Sequence, residues 1–145
     1  MPQKVELDGP GRSKLILLGE DDPDDQLLLK EVFATIDNSF ILFFVDNGKE
    51  VLSALEKLTG DRTPCLIVLD YNMPGLNGAD ILKAIAVDDR LLDIPRIIWS
   101  TSGSVRYKSI CIQLGATDYV IKPNKIDDLE NVVRYMLSLC QPGFS

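Results

Sequence analysis

Short apolar runs recur along the chain at Leu15–Leu18, Phe40–Val45, Leu66–Leu69, Ile97–Trp99 and Tyr119–Ile121. They are continuous rather than alternating, which is the pattern of strands buried on both faces. Between them lie amphipathic stretches at helical spacing. Leu28, Leu29, Val32, Phe33 and Ile36 form one stripe, and Val51, Leu52, Leu55 and Leu58 a second. Leu129, Val132, Val133, Met136, Leu137 and Cys140 form the clearest. Ile81–Ile85 and Val105–Leu114 are weaker helices by the same criterion. Asp22-Pro23 reads as an N-cap followed by proline at the first helical position, with Asp24 and Asp25 favourable to the helix dipole. Asn47, followed three residues later by Glu50, resembles a capping box. Five strands alternating with five helices predict an α/β domain with a parallel sheet covered on both faces.

In such a sheet ligands sit beyond the carboxyl ends of the strands. The residues that follow the runs are therefore the ones that carry chemistry. The first run leads into Glu20-Asp21-Asp22, the third into Asp70, the fourth into Ser100-Thr101-Ser102 and the fifth into Lys122-Pro123. Acids after a strand are commonly helix caps, which accounts for Asp22, Asp24 and Asp25. Glu20 and Asp21 precede the helix and are not needed for capping. Alone, Asp70 would be a turn former, and Ser100 or Lys122 a solvated side chain. Together the strand ends predict one shallow pocket holding carboxylates, a hydroxyl and an ammonium. Clustered carboxylates repel one another, and a hard dication such as magnesium, which prefers oxygen ligands, relieves the repulsion. A carboxylate left facing the metal and a phosphoryl donor can act as a nucleophile.

The chain has 145 residues, enough for one domain. Fifteen Lys and Arg against 22 Asp and Glu leave a net charge of −7, which argues against non-specific nucleic-acid binding. There is no histidine, so Ser-His-Asp and Cys-His catalysis and His-ligated zinc are excluded. The three cysteines are far apart with no CxxC, and read as small buried hydrophobes in a reducing compartment. No run approaches the roughly 18 apolar residues of a membrane span, and residues 1–13 lack a signal core. The expected location is the cytoplasm. Residues 1–13 read as a flexible leader, 14–140 as the domain and 141–145 as a short tail after a Pro-Gly helix stop.

The motif residues carry a resemblance. Leu15-Ile-Leu-Leu-Gly-Glu-Asp-Asp22, Leu69-Asp70-Tyr-Asn-Met-Pro-Gly-Leu-Asn-Gly78, Ile97-Ile-Trp-Ser-Thr101 and Gly115-Ala-Thr-Asp-Tyr-Val-Ile-Lys-Pro123 resemble the receiver domain of bacterial two-component response regulators. The type is the single-domain, chemotaxis-regulator kind. Asp-x-x-Met-Pro-x-x-x-Gly with a distant Lys-Pro is a specific combination, although either half alone is weak. The resemblance implies a flavodoxin-like doubly wound sheet in the order 2-1-3-4-5. It makes Asp70 the phosphoacceptor, with magnesium held by Asp21, by Glu20 largely through water, by Asp70 and by the Asn72 carbonyl. Ser100 matches the switch hydroxyl, Lys122 the phosphoryl-pairing lysine and Tyr119 the switch aromatic. Pro123 resembles the family's cis-proline, and Gly78 suits a loop-to-helix entry needing a small residue. Gly19 and Thr101 depart from the family, which usually has a β-branched residue and a small Ala or Gly there. The acid-rich Glu20–Asp25 opening and the longer connections at Thr59–Pro64 and Asp88–Pro95 resemble the phytochrome-associated subgroup.

The implied function is a signalling switch that accepts a phosphoryl group from a separate histidine kinase or phosphotransfer protein. It would promote its own modification and its reversal without being a turnover enzyme. Output would pass through the face of the fourth helix, fifth strand and fifth helix, to a downstream protein or a second copy. On phosphorylation the Tyr119 ring would move inward. One alternative is a degenerate receiver acting as a phosphorylation-independent adaptor. Another is an aspartyl-phosphate phosphohydrolase, disfavoured because position 72 is Asn rather than a second acid. A flavodoxin-type cofactor binder is disfavoured because Glu20-Asp21-Asp22 would repel a phosphate.

Overall fold

In the computed structural model, which describes residues 13–140, every apolar run is a strand and every stripe a helix. The expected leader, apart from residue 13, and the expected tail lie outside the described residues. The order is β1 (Leu15–Gly19), α1 (Pro23–Ile36), β2 (Ile41–Val45), α2 (Gly48–Lys57), β3 (Leu66–Asp70), α3 (Gly78–Ala86), β4 (Arg96–Ser100), α4 (Val105–Gln113), β5 (Asp118–Ile121) and α5 (Ile126–Cys140). Short 3-10 turns at Gly60–Arg62 and Asp89–Leu91 fill the two longer connections. The strands pair in parallel in the order β2-β1-β3-β4-β5, as expected.

Alternation hidden inside the continuous runs builds two cores. Leu15 and Leu17 of β1, Ile67 and Leu69 of β3 and Ile98 of β4 face α2, α3 and α4. Ile16, Leu18, Leu66, Val68, Ile97 and Trp99 face α1 and α5. Each fully buried large apolar side chain contributes on the order of 1.5–3 kcal/mol, so both helix layers are needed to cover the two apolar faces of the sheet. In α1 the buried stripe is Leu29, Val32 and Phe33, and Leu28 is turned toward solvent. No helix among the described residues is long and apolar enough to cross a membrane.

The caps at Asp22 and Asn47 fall where the sequence marks them, but the capping box expected at Asn47 forms by half, without a reciprocal bond from the Glu50 side chain. The Asp22 side chain accepts from the Asp24 N–H and Asn47 accepts from the Glu50 N–H. The full reciprocal box is at Asn77 and Asp80, where each side chain accepts from the other's backbone N–H.

The cysteine expectation is corrected in part. Cys65, at the start of β3, and Cys140, at the end of α5, form a disulfide across 75 residues of chain, with Cα atoms 5.0 Å apart. Both residues point into the α1/α5 core, which brings them within disulfide range. The bond removes the argument that cysteine usage made for a reducing compartment. Cys111 is the free, buried thiol that was expected.

Two glycines beside the strand ends allow close packing. A Cβ on Gly19 would sit 2.9 Å from both Met73 Sδ and Val51 Cγ2, so those side chains fill the volume a β-branched residue would take. A Cβ on Gly48 would overlap the carbonyl oxygen and Cβ of Leu76, in the loop that leaves β3. Backbone cannot yield as a flexible side chain can. Gly48→Ala is therefore expected to destabilise the fold by about 1–3 kcal/mol, read as a fall in the urea midpoint. A wild-type midpoint would contradict this packing.

Candidate functional site

The strand order carries β1, β3, β4 and β5 to one end of the sheet, and their last residues meet there. Asp70 pairs in register with Trp99, and Ser100 with Ile121. The Lys122 N–H extends the ladder by donating to the Ser100 carbonyl at 2.7 Å. Gly78 opens α3 close to this end. Its N–H donates to the Tyr71 carbonyl at 2.9 Å, and a Cβ there would lie 3.1 Å from Tyr71 Cα. The expected need for a small residue is thus met by a backbone-to-backbone approach.

Lys122 is the centre of the site. Its Nζ lies 2.8 Å from Asp70 Oδ2, 3.0 Å from Glu20 Oε1 and 3.0 Å from Asp25 Oδ2. All three ammonium protons therefore have carboxylate acceptors. Glu20 is completely buried, and its second oxygen accepts from the Asp22 N–H at 3.0 Å. The Trp99 indole N–H donates to Glu20 Oε1 at 3.0 Å, and the indole ring lies 5.0 Å from the Lys122 ammonium. Asp70 Oδ1 accepts from the Asn72 N–H at 3.0 Å.

Of the residues singled out in the sequence, Glu20, Asp21, Asp70 and Lys122 gather here. Carboxylate oxygens of Glu20, Asp21 and Asp70 all lie within 4.8 Å of one another, with Asp21 exposed and the other two buried. This set of hard oxygen donors, one of them open to solvent, fits a magnesium-type dication. Ser100 is buried, and its Oγ accepts from the Ser102 N–H at 3.1 Å. Among the described residues, no hydrogen bond joins that hydroxyl to Asp70 or Lys122. Tyr119 is already inside, 6% exposed, and its hydroxyl donates to the Ser102 carbonyl at 2.8 Å. The peptide bonds of the described residues are all trans, including the one before Pro123, so the cis-proline implied by resemblance is not found. Thr101 is exposed.

Asp25 and Trp99 are the site residues that sequence reasoning missed. Asp25 was absorbed into the helix-start explanation, yet Asp22 alone satisfies the cap. The surplus acid in the first turn was the available signal. Trp99 read as one more apolar strand residue.

Burial pushes the Glu20 carboxyl up to about 7, and the nearby Asp70 charge adds to this, against hydrogen bonds from the Asp22 N–H and Lys122. Burial alone would lower the Lys122 pKa. Its hydrogen bonds to Asp70, Asp25 and Glu20 prevail and raise it. Because the folded Glu20 holds its proton more tightly than the unfolded one, the metal-free fold loses stability as pH rises from about 4.5 to about 7. The loss is at most roughly 3–4 kcal/mol. Urea titrations of wild type and Glu20→Gln across that window are expected to differ by this declining component. Parallel pH profiles would contradict it.

The response regulator receiver domain family model matches residues 16–134. The two-component response regulator ORR3 of Oryza sativa subsp. indica is 32% identical over 111 residues, covering 75% of this chain and 82% of its own length. The crystal structure of the phosphorylated cyanobacterial phytochrome response regulator RcpA superposes with a TM-score of 0.80 at 26% identity, covering 92% of this chain and 97% of that one. The response regulator RPA3017 in red light signaling of R. palustris gives 0.79 at 29% identity, covering 90% and 96%. The Mn(2+)-bound form of response regulator Rcp1 gives 0.74 at 28%, covering 86% and 91%. The resemblance read from the motifs, including similarity to phytochrome-associated regulators, is borne out. A family match that runs from β1 into α5 and takes in the carboxyl end of every strand leaves one assignment: the chain belongs to the response regulator receiver domain family of two-component signalling.

Proposed function

We propose that this domain is a cytoplasmic, phosphorylation-controlled switch whose Asp70 accepts a phosphoryl group from the phosphohistidine of a separate histidine kinase or phosphotransfer protein. The donor histidine must be on another protein, because this chain has none. The observation that carries the reading is the Lys122 ammonium 2.8 Å from Asp70 Oδ2, with Glu20 and Asp21 carboxylates beside it. In the transfer, an Asp70 oxygen forms the bond to phosphorus as the donor's phosphorus–nitrogen bond breaks. The bonding pair returns to the imidazole nitrogen, which takes up a proton. Lys122 then exchanges an Asp70 oxygen for a phosphoryl oxygen, and the Ser100 hydroxyl turns from accepting the Ser102 N–H to donating toward the same group.

Glu20, Asp21, Asp70 and the Asn72 carbonyl would hold a magnesium ion, whose charge offsets repulsion between the acids and the incoming phosphoryl oxygens. That the similar regulator Rcp1 is known in a Mn(2+)-bound form supports binding of a divalent cation. The domain supplies the nucleophile and promotes its own modification and reversal, without multiple turnover. Its output is the α4–β5–α5 face, offered to a downstream protein or a second copy of the chain. Exposed Val105, Ile112, Ile121 and Ile126 give that face its apolar character.

Incubation with acetyl phosphate and magnesium is expected to add the mass of one phosphoryl group to the intact protein. Asp70→Asn should show no gain. Asp21→Ala should bind magnesium more weakly and label less, because without the metal the incoming phosphoryl oxygens face the remaining carboxylates, and like charges about 4 Å apart repel by roughly 4 kcal/mol at an effective dielectric near 20. Labelling of the Asp70→Asn protein, or full labelling in excess chelator, would refute the reading.

A further inference from the structure

Two lines of contact leave the pocket and meet at Tyr107, in the first turn of α4. The first is a hydrogen-bond chain. The Ser102 N–H donates to Ser100 Oγ at 3.1 Å, the Ser104 N–H to Ser102 Oγ at 3.2 Å and the Tyr107 N–H to Ser104 Oγ at 3.2 Å. The second is aromatic. The Tyr71 and Tyr107 rings stack with centroids 4.7 Å apart and planes 15° from parallel.

Tyr71 directly follows Asp70, and its backbone is held on both sides. Its N–H donates to the Trp99 carbonyl at 3.3 Å, and its carbonyl accepts from the Gly78 N–H at 2.9 Å. The ring is therefore fixed to the loop that must adjust when the Asp70 carboxylate changes. Tyr107 is 37% exposed and belongs to the helix that opens the output face.

We infer that the Tyr71–Tyr107 stack is a clasp that transmits changes at Asp70 to α4 through the two rings, beside the hydrogen-bond chain from Ser100; this rests on the receiver reading above. Stacking depends on the rings and not on the Tyr107 hydroxyl. Offset stacked pairs carry enough energy to bias a two-state equilibrium about two- to tenfold.

The test is amide NMR of the full chain with magnesium and beryllofluoride, a phosphoryl mimic. In wild type, pocket amides and the Val105–Gln113 amides should both shift. In Tyr107→Leu the pocket shifts should persist, while the α4 shifts fall about two- to tenfold. Tyr107→Phe should restore them, and adding Tyr71→Leu to Tyr107→Leu should cause no further loss. Wild-type α4 shifts in Tyr107→Leu, or failure of Tyr107→Phe to restore them, would overturn the clasp alone. Wild-type pocket amides that ignore the mimic would overturn the receiver reading, and the clasp with it.

Discussion

An ammonium has three protons to donate, and Lys122 gives all of them to carboxylates drawn from three separate elements. The sheet order makes this possible. With β3 between β1 and β4, a side chain leaving β5 crosses the end of β4 to reach Asp70, Glu20 and the first turn of α1. Glu20 is wholly inside the protein, where an unpaired carboxylate is untenable. Removing the lysine from such a buried arrangement would cost roughly 3–5 kcal/mol. Trp99 completes the arrangement by donating its indole N–H to the same Glu20 oxygen that Lys122 holds.

Folding and function draw on the same atoms. Lys122 occupies one oxygen each of Glu20 and Asp70, the two buried acids of the candidate metal set. Asp21, the third, is the acid open to solvent. A cation approaching from Asp21 therefore meets a site whose excess negative charge is only partly balanced by one ammonium. Asp25 gives that ammonium a partner outside the metal set. Lys122 can thus stay in the pocket while its bonds to Glu20 and Asp70 are redistributed.

Much of this was legible in the residues. Continuous apolar runs mark strands buried on both faces, and polar residues of fixed type after four of them identify Glu20, Asp21, Asp70, Ser100 and Lys122. What was not legible depends on distance in space without a local signature. Asp25 acts 97 residues from Lys122; as a surplus acid in the first turn it fits the helix dipole, and nothing local points to its distant partner. Trp99 is 79 residues from Glu20, and its indole N–H is invisible to a hydropathy pattern. The Cys65–Cys140 bond joins the start of a strand to the end of a helix, with no spacing to announce it. The inward position of Tyr119 is a rotamer choice, fixed by its hydrogen bond to the Ser102 carbonyl.

Lys122 holds the pocket together through three simultaneous ion pairs. Nitrogen-detected NMR of the lysine ammonium groups in the metal-free protein tests it most directly. One Lys122 ammonium signal is expected, with slow proton exchange and couplings to carboxylates, and it should persist as the pH is raised. A Lys122 signal in fast proton exchange and without carboxylate couplings would rule the three pairs out.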